Sequence, residues 1–288
     1  MSGTADLIRA LGVLCEPPSS EHTHLASALD LASPPQAEEY VEVFLLQVYP
    51  YASIYLGSEG MMGGEARDRA AGFWRALGLI PPAEPDHLAS LLGLYAALIE
   101  AEEGEPDAPR AALRRSSRRA LLWEHLLSWC PPYLDKVAAV ATPHYRAWAE
   151  LLSRTLLEEA ARLGPQGDLP LGLRAAPPLP AQADASGDWV GALLAPVRSG
   201  VIFTRADLAR GARQVDVGLR LGERAYILRA MLEQDPQGTV TWLADEGDEA
   251  ASRHAVFEPA LGEVARFWRT RAETTAAALR AVVAAGVG

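Results

Sequence analysis

An all-α fold is expected from three features of the sequence. Apolar residues recur at helical spacing along most of the chain. Helix-start signals such as Thr142-Pro143 stand just ahead of those periodic runs. Strand signals are nearly missing: there is no Asn-Gly hairpin turn, and the β-branched run Gly238-Thr239-Val240-Thr241-Trp242 stands alone. With 288 residues, 49% of them apolar and 22% charged, the chain has material for one large domain or two ordinary ones and is not globally disordered.

Taken in order, the first clear element is residues 38–48. They are apolar on almost every side (Tyr40, Val41, Val43, Phe44, Leu45, Leu46, Val48), as in a central buried helix. Pro50 ends or kinks it, and Tyr49, Tyr51 and Tyr55 gather with Ser53 at the break. These rings either fill the space around a kink or wall a groove for an extended or helical peptide. Gly57, Gly60, Gly63 and Gly64 precede a helix starting near Glu65. No strand precedes them and no Lys-Ser/Thr follows, so a flexible turn is expected rather than a phosphate cradle.

Glu84-Pro85-Asp86-His87 then opens the most regular helix, residues 85–103, with Leu88, Leu91, Leu92, Tyr95, Leu98 and Ile99 on one face. An acidic, proline-bearing first turn is a common helix start. Here it also follows the short loop Leu79-Ile80-Pro81-Pro82-Ala83, which puts an acid and an imidazole at one edge. A second cluster, Trp123 to Tyr133, ends another helix and sets His125 and Trp129 one turn apart. Residues 142–163 repeat the helical pattern through Tyr145, Trp148, Leu151, Leu152 and Leu156. Phe44 and Leu92 are expected in the core.

Between residues 164 and 187 glycine and proline break any regular element, so three regions are expected: a helical domain over 1–163, a linker over 164–187, and a smaller helical subdomain over 188–288. Charge divides at the same place. Residues 1–164 hold 13 Arg and Lys against 22 Asp and Glu, a net of −9; residues 165–288 hold 13 against 15, a net of −2.

Several function classes fall away. The whole-chain net charge of −11 argues against a surface built for nucleic acid or anionic lipid. Two cysteines, Cys15 and Cys130, make neither a disulfide framework nor a cysteine-rich metal site. His-Glu-x-x-His, Cys-x-x-Cys and Gly-x-Ser-x-Gly are all missing, so no catalytic residue, metal or cofactor is expected. His22 and His24 lie in a polar, proline-flanked stretch and are expected in solvent. The longest uncharged stretch, 43–58, is too short to span a bilayer, and Asp6 and Arg9 break any secretory signal. A cytoplasmic protein without stable membrane insertion is expected.

Tyr49-x-Tyr51-x-Ser53-x-Tyr55-Leu56, then Glu84-Pro85-Asp86-His87-Leu88, then Glu124-His125-Leu126-x-x-Trp129-x-Pro131, then an aromatic helix with Tyr145 and Trp148, resemble the TorD/DmsD/NarJ-type redox-enzyme maturation chaperones in order and spacing. The resemblance covers roughly residues 35–163. It implies an all-helical fold and a cytoplasmic chaperone, not an enzyme. Such a protein binds the precursor of a molybdopterin-containing oxidoreductase subunit, usually at its twin-arginine signal peptide, before cofactor insertion. It further implies a peptide-binding pair at Asp86 and His87, with the His125 to Trp129 stretch on the helix beside it, and permits a homodimer formed by helix exchange. At that site Asp86 is expected to take a ligand arginine, with Tyr55 and Trp129 as apolar walls and Glu84, Tyr49 and Tyr51 around them. A basic-then-apolar peptide suits an acidic, aromatic-lined domain. The region after residue 188 departs from compact members of that family. It carries the rival reading, a helix-turn-helix DNA-binding regulator using residues 198–233: Thr204 caps a helix expected over 205–213, a second is expected over 222–233, and residues 198–229 hold seven arginines against three acids.

Overall fold

The computed structural model describes residues 3–31, 33–180 and 188–286. Among them the fold is all-α, and the one β-type pairing is an isolated antiparallel bridge between Tyr51 and His87. Residues 181–187 of the expected linker lie outside the described residues. The chain divides into two compact units, Met1–Ser53 with Met62–Gly172, and Ile54–Met61 with Leu173–Gly288.

The first unit contains α1 (Gly3–Val13), α2 (Ser20–Ala28), α3 (Ala37–Tyr40), α5 (Gly64–Ala76), α6 (Leu88–Glu103), α7 (Ala108–Ala120), α8 (Cys130–Val140) and α9 (Pro143–Leu163). Helix α4 (Ala52–Leu56) begins in it. Two helices pass into π-helical turns, α3 into Val41–Gln47 and α7 into Leu121–Leu127. Helix α6 pairs with α1, and α8 with α9. Phe44 meets Tyr145 and Trp148 edge-on at 4.9 and 5.5 Å, and the Trp148 indole donates to the Leu11 carbonyl at 2.9 Å. These rings join three parts of the sequence in one core; Phe44 and Leu92 are both fully buried.

Three expectations need correction here. Residues 38–48 are not buried all round. Only Tyr40, Val43, Phe44 and Val48 are buried, while Val41, Leu45 and Leu46 are 42, 44 and 37% exposed. The π turn, closed by Val48 N–H on the Val43 carbonyl at 2.8 Å, leaves a single inward stripe. His22 is buried in α2 rather than free in a loop, because its ring nitrogens bond Ser19 and the Val13 carbonyl; His24 is exposed as expected. The most regular helix starts at Leu88, with His87 as its N-cap, so Pro85 precedes the helix instead of opening it.

The second unit contains α11 (Trp189–Leu193), α12 (Pro196–Ser199), α13 (Arg205–Gln214), α14 (Arg224–Gln234), α15 (Pro236–Ala255), α16 (Glu258–Leu261) and α17 (Glu263–Gly286); the short α10 (Leu171–Arg174) straddles the boundary. Its own core is built from Phe203, Leu208, Leu228, Met231, Trp242 and Leu243, and α15 pairs with α17 along its length. Thr204 caps α13 through a reciprocal bond with Asp207. The β-branched run at 238–242 is helical, inside α15, because Asp235 caps that helix and Pro236 stands in its first turn.

Candidate functional site

Two stretches of the first unit meet at the expected site. Pro50 to Ser53, after the π turn, lies against Glu84 to Leu88, before α6. The Leu88 N–H donates to the Pro50 carbonyl at 2.8 Å, and the Ala52 N–H to the Asp86 carbonyl at 3.0 Å. The Asp86 side chain, 2% exposed, completes the junction: its Oδ2 accepts from the Ser53 N–H at 3.1 Å. Without that carboxylate a buried N–H at the start of α4 would lose its acceptor. The Ser53 hydroxyl in turn accepts from Gly63 N–H.

His87 is buried, and its Nδ1 accepts from the Ala89 N–H at 3.1 Å. That bond holds the ring as the neutral tautomer protonated on Nε2. Burial pushes its pKa below the usual imidazole value, against the opposing pull of Glu84, Glu16 and Asp86. The Tyr51 ring stands edge-on to His87 at 4.8 Å, and burial, with nearby Glu84, raises its phenol pKa. Glu84 is exposed, as are Leu79 and Ile80 in the preceding loop, at 45 and 92%. An exposed carboxylate thus follows an exposed apolar loop in the sequence.

The remaining candidates are placed differently. Tyr49 is half-buried beside the junction in sequence. Tyr55 is 1% exposed and falls in the segment that clusters with the second unit. Trp129 is fully buried: its indole donates to the His125 carbonyl at 2.8 Å, and its ring lies 5.0 Å from Tyr133. His125, partly buried, lies on Phe73 at 4.9 Å, and burial, helped by nearby Arg69, lowers its pKa to about 4. The geometry joins Tyr51, Glu84, Asp86 and His87 into one constellation, and sets Tyr55 and Trp129 in packed interiors.

Sequence reasoning missed Ser53 as the partner of Asp86 and the exposed Leu79-Ile80 pair as part of the edge. Ser53 had a signal: a hydroxyl residue just after a proline break is a natural helix-start residue, whose backbone N–H needs an acceptor. No group of His, Cys, Asp or Glu among the described residues is arranged to hold a metal ion.

Residues 16–135 match the family model described as the nitrate reductase delta subunit. No curated protein matches the sequence. The matched span contains all eight candidate residues and none of the second unit beyond residue 61. Over residues 16–135, therefore, the chain is similar to the nitrate reductase delta subunit family.

Proposed function

We propose that the protein binds the N-terminal segment of a molybdopterin-containing oxidoreductase subunit, its twin-arginine signal peptide, and accompanies it through maturation in the cytoplasm without catalysis or a cofactor of its own. The observation that carries this reading is the open edge at Glu84. There an exposed carboxylate follows, four residues on, the exposed Leu79-Ile80 pair. A guanidinium pairs well with such a carboxylate, and apolar residues following it fit the loop. The net charge of −9 over residues 1–164 draws a basic peptide toward the domain. In this reading Glu84 meets the ligand arginine, Asp86 and His87 fix the junction beneath it, and Tyr49 flanks it. His125 and Trp129 support the first unit from packed positions.

Isothermal titration with a twin-arginine peptide tests it. Glu84→Gln is expected to weaken binding by about 1.5–3 kcal/mol with the melting temperature nearly unchanged. Unchanged affinity removes the edge from the site. Co-purification from the native host, with bound proteins identified by mass, is expected to recover an oxidoreductase subunit. The rival DNA-binding reading has weaker support, because several arginines of residues 198–233 are already engaged: Arg210 by Glu246 and Asp207, Arg224 by the Phe203 carbonyl, Arg229 by Asp188.

A further inference from the structure

In the second unit, the turn between α13 and α14 presents apolar side chains to solvent. Leu219, Leu221 and Tyr226 are 47, 90 and 49% exposed. A single exposed leucine is ordinary on a protein surface, but three large apolar side chains within eight residues form a patch. Both ends of this turn are anchored. The Gly218 N–H donates to the Gln234 side-chain oxygen at 2.9 Å, and the Gln234 amide donates back to the Gly218 carbonyl at 3.0 Å. At the other end the Tyr226 ring lies against Gly222. Between these anchors Leu219, Arg220 and Leu221 stand out as a knob.

An apolar groove starts from the same anchor. Leu232 and Pro236, two residues to either side of Gln234, line a cavity of about 460 Å3 together with Trp189, Val240 and Val283. Natural ligand clefts have volumes of about 300–1,000 Å3, so this one has room for a leucine side chain. Its lining among the described residues includes Gln237 but no charged group. Charge is arranged around it. Arg220 on the knob is exposed and has no ion pair among the described residues. Glu233 and Asp235, next in sequence to Leu232 and Pro236, have no cationic partner among them either.

A surface that carries knob and groove side by side, with a cation on one and carboxylates beside the other, has the two complementary halves that an isologous interface needs. A foreign segment would use one half and leave the other bare. We propose that this corner of the second unit joins two copies of the chain. Leu221 of each copy enters the groove of the other, and Arg220 faces the other copy's Glu233 and Asp235. No helix is exchanged in this arrangement, and it stands independently of the Glu84 edge.

Sedimentation velocity of the full chain across a concentration series tests it. The wild type is expected to show a monomer–dimer equilibrium. Leu221→Ser is expected to raise the dimer dissociation constant about tenfold or more, because each dimer loses two buried leucines. The exposure of Leu221 in the single chain keeps the monomer's melting temperature unchanged. Val283→Gln in the groove and Arg220→Glu on the knob are each expected to weaken the dimer as well. Mixing Leu221→Ser with Val283→Gln is expected to recover part of the association, since the mixed dimer keeps one intact knob in one intact groove. Val256→Ser, at a position 75% exposed and outside both knob and cavity lining, is expected to change nothing. A wild type that stays monomeric, a dimer insensitive to both Leu221→Ser and Val283→Gln, or a mixture no stronger than its components overturns the proposal. Monomeric wild type that floats with anionic vesicles, and no longer does so as Leu221→Ser, would assign the knob to a lipid surface and overturn it equally.

Discussion

At the scale of single residues, the junction turns on one buried carboxylate. Asp86 has a structural duty whatever the ligand, since its Oδ2 accepts from the Ser53 N–H while its own carbonyl accepts from Ala52. Asp86→Ala leaves that buried N–H without its acceptor, and a loss of about 1–3 kcal/mol is expected in denaturant unfolding. Asp86→Asn keeps an acceptor oxygen and should cost less, about 1 kcal/mol, mainly the charge assistance. Equal stability of wild type and Asp86→Ala would dissociate the carboxylate from the fold. His125 supplies a pH dependence whose sign is fixed by burial. The native state keeps the ring neutral down to about pH 4, whereas the unfolded chain takes up its proton near the ordinary imidazole value of 6.5. Unfolding therefore absorbs a proton across that window. Stability is full above about pH 6.5 and falls as the pH drops toward 4, by on the order of 2–3 kcal/mol from this residue. His87 and His144, also lowered by burial, act in the same direction. Thermal melts from pH 7 to pH 4 should show the fall, and His125→Gln should flatten part of it.

At the scale of elements, backbone shape decides what a pattern of apolar residues cannot. Gly200 follows α12 with φ of +76°, a left-handed conformation, and a Cβ there would lie 2.3 Å from the Ala272 nitrogen on α17. Its carbonyl also accepts from His254 Nε2 at 2.9 Å. Gly200→Ala combines backbone strain with a clash against a helix, so a loss of about 2–5 kcal/mol is expected by chemical denaturation. A loss under 1 kcal/mol would mean that α12 and α17 part easily. The same distinction explains how much could be read from the sequence. Helices α9, α13 and α14 were legible almost to the residue, because apolar period and capping chemistry agree there: Thr204 with Asp207, and Pro143 after Thr142. Residues 38–48 misled because a π turn changes the period, and composition alone does not reveal which apolar side chains turn outward. The β-branched run at 238–242 is helical because the cap at Asp235 outweighs a weak strand preference, in keeping with the all-α reading. At the candidate site, the residue types in Glu84-Pro85-Asp86-His87 were legible, but their division of labour was not. That division depends on Ser53 and Tyr51, which approach from more than thirty residues away.

At the scale of the whole molecule, the division into units does not follow a single cut of the chain. Residues 54–61 leave the first unit and count with the second, so the chain crosses between them at 53/54, 61/62 and 172/173. The inserted segment is well embedded. Ile54, Tyr55 and Leu56 are 6, 1 and 7% exposed, and at Gly60 (φ +63°) a Cβ would stand 3.0 Å from the Ala195 Cα. A fragment of residues 173–288 therefore lacks part of its own interior, although it keeps the core around Phe203, Leu228 and Leu243. Burying one large apolar side chain contributes about 1.5–3 kcal/mol, so losing three removes several, a large share of the stability of a domain this size. The expected outcome is a fragment with helical circular dichroism but a broad melt, well below that of the intact chain. Restoring residues 54–61 at its N-terminus through a flexible glycine-serine linker should sharpen the transition and raise its midpoint by several degrees. The linker makes the test specific, because it returns the segment without the rest of the first unit. A fragment that melts as sharply and as high without the segment as with it would show that residues 54–61 add nothing to the second unit's stability.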